Sequence, residues 1–229
     1  MPANSVSAII PAFNEERTIG RTIAGVWDIP AMTQVIVVDD GSMDGTADEA
    51  ARFGARVIRL EKNIGKGGAI NAGAGLAGGD IILLLDADIG ESATRAAILL
   101  EPLLGGGADM AIAAFPRPAN KGGFGFVQLL AGNGIKFFTG IKAEAPLSGQ
   151  RAMIRKVFLD MLPVARGFGV EVDLTIKAVR KGYRVIEVPV CLSHRITGRD
   201  LKGFIHRGRQ FYHVARTLLS LGRAGFGNA

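Results

Sequence analysis

Cysteine is almost absent: Cys191 stands alone in 229 residues, which excludes an internal disulfide framework and fits a reducing compartment. Its apolar neighbours predict a core position for it. No run approaches the roughly 20 apolar residues that a membrane span requires, and the first residues lack the basic-then-apolar layout of a secretory signal, so a cytoplasmic protein is expected. Internal repeats and flexible linkers are also missing. The net charge of +6 comes without any helix-turn-helix, zinc or RNA-binding signature, which argues against a nucleic-acid partner. The length suits one domain with a substantial core.

What the chain has instead is alternation. Strand-like runs at 6–10, 35–38, 56–60, 81–85 and 109–114 are separated by helical stretches at 16–27, 44–53, 66–77 and 92–104. This pattern predicts an α/β fold with a mainly parallel sheet and helices on both faces. Pro116, Pro118 and glycines 122, 123 and 125 mark a loop, followed by an apolar segment from Phe124 to Ile141 read as a helix across the cleft entrance. A segment Ala152–Leu162, a helix from about Glu171 to Lys181 and a strand Arg184–Pro189 complete the chain. Within one domain this gives a first half at about 1–115, a second at 116–195 and a basic tail at 196–229.

The strands end in acid. Leu83-Leu84-Leu85 runs into Asp86-Ala87-Asp88, Val35–Val38 runs into Asp39-Asp40-Gly41-Ser42, and Val6–Ile10 runs into Pro11-Ala12-Phe13-Asn14-Glu15-Glu16. In an α/β sheet, ligands sit at the carboxyl edge of the strands. Alternation along an extended Asp-x-Asp sends both carboxylates to one side, a hard-oxygen site for Mg2+ or Mn2+ against a substrate diphosphate. Proline stops the first strand, and Asn14 is expected to cap the next helix. Gly65-Lys66-Gly67 is not a Walker loop, because Leu60 stands where its first glycine belongs and no Ser or Thr follows Lys66. Gly73-Ala74-Gly75-Leu76-Ala77-Gly78 lies after a helix and before a strand, the reverse of a dinucleotide fold. Lys66, opening a helix, suits a nucleotide diphosphate through its charge and the helix N-terminal amides.

Taken in order, Ile-Ile-Pro-Ala-Phe-Asn-Glu-Glu, Val-Val-Asp-Asp-Gly-Ser-Met-Asp-Gly-Thr, Asn-Ile-Gly-Lys-Gly and Asp-Ala-Asp resemble the nucleotide-sugar half of a family 2 glycosyltransferase. The stretches Gly140–Ala152, Gly167–Leu174 and Gly182–Pro189 are similar to the polyprenyl (dolichyl) phosphate sugar transferase branch. The resemblance covers residues 5 to about 200. It implies a GT-A type, Rossmann-like fold and a nucleotide diphosphate sugar held by Pro11, Phe13, Glu15, Asp39, Asp40, Lys66 and Asp86, with Asp39 accepting the base N–H. The metal would sit on Asp86 and Asp88, and Asp88 and Glu171 would be the catalytic carboxylates. A glutamine two residues after the second Asp is common in that branch, but here the position is Gly90. His194 is expected to supply the missing ligand, since His194-Arg195 is similar to a pair in glucosyl-3-phosphoglycerate synthases.

Base-using members of the family carry a Glu-Asp pair where this chain has Phe168-Gly169. An acceptor phosphate needs no such base, because its oxygen is already anionic near neutral pH. Its in-line attack would invert the anomeric carbon. Arg117, Lys121, Arg151 and Arg199, with Ser148, are the expected acceptor contacts, since arginine's planar fork suits phosphate. Glu171 and Asp173, two apart on a helix, should face different ways. The tail interleaves Arg195, Arg199, Lys202, Arg207, Arg209, Arg216 and Arg223 with Phe204, Ile205, Phe211, Tyr212, Leu218 and Leu219, either a basic amphipathic helix for an anionic bilayer or a helix docked on the domain. His206 and His213 read as members of that tail, and the apolar 124–141 segment would serve an oligomer as readily as a bilayer. Three readings stay open: sugar transfer to a lipid-linked phosphate, transfer to a small soluble phosphate such as 3-phosphoglycerate, and a nucleotide-sugar binder that has lost transfer.

Overall fold

Strands β1 (Val6–Ala12), β2 (Met32–Asp39) and β4 (Ile81–Leu84) are covered on both faces, which is why they read as near-continuous apolar runs rather than as alternating ones. The structure, a computed structural model, describes residues 5–115, 125–191 and 201–225, excepting the side chains of 201–207 and 223–225. With β3 (Arg56–Arg59), β5 (Met110–Ala114), β6 (Arg151–Ile154) and β7 (Val185–Pro189), these strands form a seven-stranded sheet in the order β3-β2-β1-β4-β6-β5-β7. All pairings are parallel except those of β6, which runs antiparallel to both β4 and β5.

On one face of the sheet, Ile10, Val37, Leu83 and Leu85 pack against α1 (Ile19–Trp27) through Ile19, Ile23 and Val26. On the other face, Ile9, Ile36, Val38 and Leu84 meet Ile70 of α3 (Lys66–Ala74), Phe158 of α6 (Arg155–Met161) and Leu174 of α7 (Val170–Arg180). A separate core joins α7 to α5 (Gly125–Thr139) and α8 (Leu201–Gly225) through Val127, Ala131, Ile135, Val172, Ile176 and Val214. A short helix, α2 (Thr46–Arg52), precedes β3.

Several expectations change. Residues 92–104 do not make one α-helix. A 3-10 stretch covers Gly90–Leu99 and α4 is only Glu101–Leu104; the Ser92 hydroxyl takes the Ile89 carbonyl, a local alternative to the helical ladder, and the Thr94 hydroxyl ties the stretch to the Gly25 carbonyl of α1. The 152–162 segment splits into β6 and α6. Asn14 does not cap α1: it sits at φ 56 and its Oδ1 accepts the Met43 N–H, while the helix starts five residues later, at Ile19. Cys191 is exposed rather than buried, because it lies past the end of the edge strand β7, one residue beyond the buried Val190.

Candidate active site

β1, β2 and β4 end side by side, and the strand order reverses between β1 and β4, so a crevice opens at their carboxyl ends. Pro11 fits there because the β1–β4 ladder stops at Ile9↔Leu84. Ile9 offers its carbonyl to Leu85, so the N–H that Pro11 lacks falls on the same side, past the end of the ladder. Phe13 then projects 43% exposed. The first loop is tied to the second, since the Asn14 N–H bonds Ser42 Oγ (2.9 Å) and the Glu15 N–H bonds Thr46 Oγ1 (2.8 Å). The Glu15 carboxylate accepts the Thr18 hydroxyl at 2.7 Å. Asp39 is buried at the end of β2, and its Oδ1 accepts the Ser42 N–H at 3.1 Å.

Asp40, expected among the nucleotide contacts, is turned to other work. Its two carboxylate oxygens accept the Ile64 N–H (2.7 Å) and the Gly65 N–H (2.8 Å). Burial raises its pKa in spite of these bonds. Asp40 therefore holds the loop that presents Lys66.

The Asp-Ala-Asp segment is not extended. β4 stops at Leu84, and Ala87 and Asp88 form a turn. Thr22 of α1 clamps that turn, donating to the Ala87 carbonyl (2.8 Å) and accepting the Gly90 N–H (2.9 Å). Ala87 is buried and both carboxylates stay partly exposed, so a pinned turn, not strand alternation, delivers them.

Lys66 is the hub. Its Nζ lies 2.5 Å from Asp86 Oδ1 and 2.8 Å from Glu171 Oε1, with its side chain 18% exposed. Burial alone would push the ammonium towards neutrality, but Asp86 and Glu171 outweigh it and hold the pKa above lysine's ordinary range. Gln150 completes the shell: it is fully buried, and its Nε2 donates to Asp86 Oδ2 at 2.6 Å. Gly149 allows this approach, since a Cβ there would stand 2.3 Å from Lys66 Nζ and 2.7 Å from both Asp86 oxygens. Glu171 and Asp173 do point apart, Asp173 accepting the Ala165 N–H and pairing with Lys177, each at 2.8 Å.

Arg151 is not a surface contact. It is 0% exposed, donating from Nε to the Ser148 carbonyl (2.9 Å) and from Nη1 to Thr175 Oγ1 (2.8 Å). Nη2 has no hydrogen-bond partner among the described residues. Burial pushes its pKa down to about 10 against the opposing pull of Glu171, Glu187 and Asp86, so it remains a cation beneath the cleft floor. Ser148 is also buried, 3.4 Å from Gln150 Oε1. Arg117, Lys121, His194 and Arg199 lie outside the described residues. Among the described residues, no group of three or more His, Cys, Asp or Glu side chains is placed to hold a metal. A cation on Asp86 and Asp88 would complete its shell with phosphate and water oxygens, which is the habit of Mg2+.

Residues 7–161 match the sequence profile of Glycosyl transferase family 2. The chain belongs to that family. Among its relatives, Glycosyltransferase AglJ of Haloferax volcanii is 31% identical over 206 residues, covering 86% of this chain and 66% of that one. Polyprenol monophosphomannose synthase of Mycolicibacterium smegmatis is 30% identical over 214 residues, covering 86% and 80%. Glucosyl-3-phosphoglycerate synthase of Mycobacterium tuberculosis, solved with Mn2+, UDP and glucosyl-3-phosphoglycerate, superposes with a TM-score of 0.78 at 29% identity, over 95% of this chain and 79% of that one. A further structure of that enzyme holds Mg2+ and UDP.

Three residues that shape this candidate site escape a reading of the sequence. Thr22 and Gln150 lie in runs without chemical distinction, although Gln150 sits inside a segment already notable for Ser148 and Arg151. The third is His213, which leaves the basic tail to accept the Phe168 N–H at Nδ1 (3.1 Å). It fills the space over Gly167, at φ 72, where a Cβ would come within 2.1 Å of that nitrogen.

Burial, with Arg216 and Arg209 adding to it, lowers the His213 pKa. The neutral ring is thus favoured in the fold, and its contribution is present above the unfolded value of about 6.5 and lost as pH falls through the lower folded value. Measured relative to the intrinsic rate at each pH, hydrogen exchange at the Phe168 amide is expected to quicken, its protection falling, between pH 7.5 and 5.5 in the parent. In His213→Asn, whose amide oxygen accepts at either pH, the rate should show no such extra acid dependence. Equal behaviour of the two proteins would refute the His213 latch.

Proposed function

We propose that this glycosyltransferase moves a hexose from a nucleoside diphosphate sugar to a lipid-linked phosphate, using Mg2+ or Mn2+. The observation that carries the reading is the convergence of Asp39, Asp86, Asp88, Lys66 and Glu171 on one sheet edge. Asp39, with Phe13 beside it, would hold the base and ribose. A divalent cation on Asp86 and Asp88 would neutralise the departing diphosphate, and Lys66 would add a second positive charge to the same group. Glu171, across Lys66 from Asp86, orients that ammonium from the acceptor side.

For the acceptor, Phe168-Gly169 occupies the position where base-using members carry a Glu-Asp pair. No carboxylate is offered there to deprotonate a sugar hydroxyl. A phosphate oxygen is anionic already and attacks without general base help, inverting the anomeric centre. Arg151, a cation held under the cleft floor, favours negative charge above it. The polyprenol monophosphomannose synthase relative supports a lipid-linked phosphate, whereas the similarity to a solved glucosyl-3-phosphoglycerate synthase favours the second reading, a small soluble phosphate acceptor.

Incubation with UDP-glucose or GDP-mannose, Mn2+ and either a polyprenyl phosphate or 3-phosphoglycerate separates these. Labelled sugar is expected in the organic phase only with the polyprenyl phosphate. Transfer to 3-phosphoglycerate alone would replace the first reading by the second, and nucleotide binding without transfer to either would mean a sugar-nucleotide binder. The matching nucleotide with Mn2+ should raise the melting temperature by about 5–10 °C at a hundredfold excess over Kd, about 2.7 kcal/mol.

A further inference from the structure

Helices α5 and α8 run side by side in the same direction. Gly134 packs on Leu218, its absent Cβ leaving room for a side chain that would otherwise stand 2.5 Å away, and Phe138 reaches Gly222. Their inner faces close on α7 through Val127, Ala131, Ile135 and Val214. The outer faces are apolar without being covered. Phe126 (81% exposed), Leu129 (60%) and Phe137 (83%) project from α5, and Phe211 (45%), Tyr212 (60%) and Leu219 (68%) from α8. Phe126 and Phe137 are three turns apart and therefore on one side of α5, as Tyr212 and Leu219 are on α8. Single exposed apolar residues are ordinary, but six on two adjoining helices make a patch that marks an interaction surface.

Charge identifies the occupant. No Asp or Glu occurs in residues 116–143 or 201–229, so both helices are free of carboxylates along their whole length. Exposed Lys136, Lys142, Arg209 and Arg216 border the apolar strip. On α8, Arg209 and Arg216 are seven apart and share the flank away from α5. A second copy of the chain on this face would set these arginines against each other, whereas anionic headgroups would neutralise them. We propose that the joint outer face of α5 and α8 docks the protein on an anionic lipid surface, with Phe126, Phe137, Tyr212 and Leu219 at the acyl boundary and the flanking cations among the headgroups.

The face stands beside the acceptor side of the site. A cavity of about 40 Å³ lies between the two helices, with Val127 and Val214 on its walls next to Phe168 and Glu171. Gln210 also lines it, and its Oε1 is buried without a hydrogen-bond partner among the described residues. Exposure and charge by themselves support docking. Its use, bringing a lipid-linked phosphate to Glu171, rests on the proposed function.

Flotation of the full chain with phosphatidylcholine vesicles, with and without phosphatidylglycerol, tests it. The parent is expected to float only with the anionic vesicles, and less so as salt rises. Phe126→Ser with Phe137→Ser should abolish flotation, and Arg209→Gln with Arg216→Gln should weaken it about tenfold or more. Both variants should keep the parental circular dichroism and nucleotide binding. A parent that stays at the bottom of the gradient overturns the proposal. So does a parent that sediments as a dimer, does not float, and is split by the phenylalanine substitutions. The two readings fail separately: flotation without transfer to any prenyl phosphate keeps the docking face and removes the lipid acceptor, while transfer to a short-chain prenyl phosphate without flotation does the reverse.

Discussion

Asp88→Ala is expected to fold like the parent and to lose sugar transfer by about a thousandfold or more, the equivalent of about 4 kcal/mol of transition-state stabilisation. The loss is electrostatic in origin. As the bond from the anomeric carbon breaks, negative charge gathers on the diphosphate, and a divalent cation held there by Asp88 would supply the neutralising charge. Asp88 is the cleaner of the two aspartates to remove. Asp86→Ala would also strip Lys66 and Gln150 of their shared acceptor, leaving Lys66 with Glu171 alone and the buried Gln150 amide without its carboxylate, and so confounding chemistry with stability. Asp88 is partly exposed in a turn held by Thr22, so its loss should move the melting temperature by no more than about 2 °C. Nucleotide release in the presence of acceptor and Mn2+, set beside a melting curve, decides it. Retained metal-dependent turnover would remove the metal from this turn and the mechanism with it.

The second large effect is on folding. Gly67→Ala should lower stability by about 3 kcal/mol, roughly 6–12 °C in melting temperature for a chain of this size. The added Cβ would stand 1.8 Å from the Ala165 carbonyl oxygen and 2.9 Å from its carbon, and neither is the far end of a flexible side chain. Relief requires the start of α3 to back away from the 165–167 turn, carrying Lys66 from Asp86 and Glu171. Loss of stability should therefore come with weaker nucleotide binding, measured by calorimetry on both proteins. An unchanged melting temperature would show that the contact relaxes at no cost.

Much of this was written in the local pattern. The parallel strands announce themselves as apolar runs ending in acid or proline, and the motif order from Pro11 to Asp88 identifies the family and the edge on which the site is built. Lys66 and Glu171, remote in sequence, were each legible as helix openers beside a cleft. What could not be read was how they meet. Their contact depends on Gly67 and Gly149 clearing space, and on a strand whose direction no periodicity reveals. β6 is four residues long and is flanked by α6 without a break, so it reads as the start of a helix. Arg151 looked like a cleft residue for the same reason, since its burial follows from pairing with Leu84 and Ile112 on the two sides. Asp40 and Asp39 are indistinguishable in a motif, and only the path of the 61–65 loop separates their duties.

β6 threads between β4 and β5, so the later half of the polypeptide supplies a stave to the middle of a sheet begun by the earlier half. The two cannot be parted at a hinge or traded as modules. A fragment ending near residue 115 would bare the flank of β4 and leave β5 without its inner neighbour, inviting aggregation in place of a nucleotide-binding remnant. Diversification of such a scaffold is thereby steered towards what hangs outside the sheet, the α5 and α8 pair, while sugar donor and recipient stay bolted to a common frame.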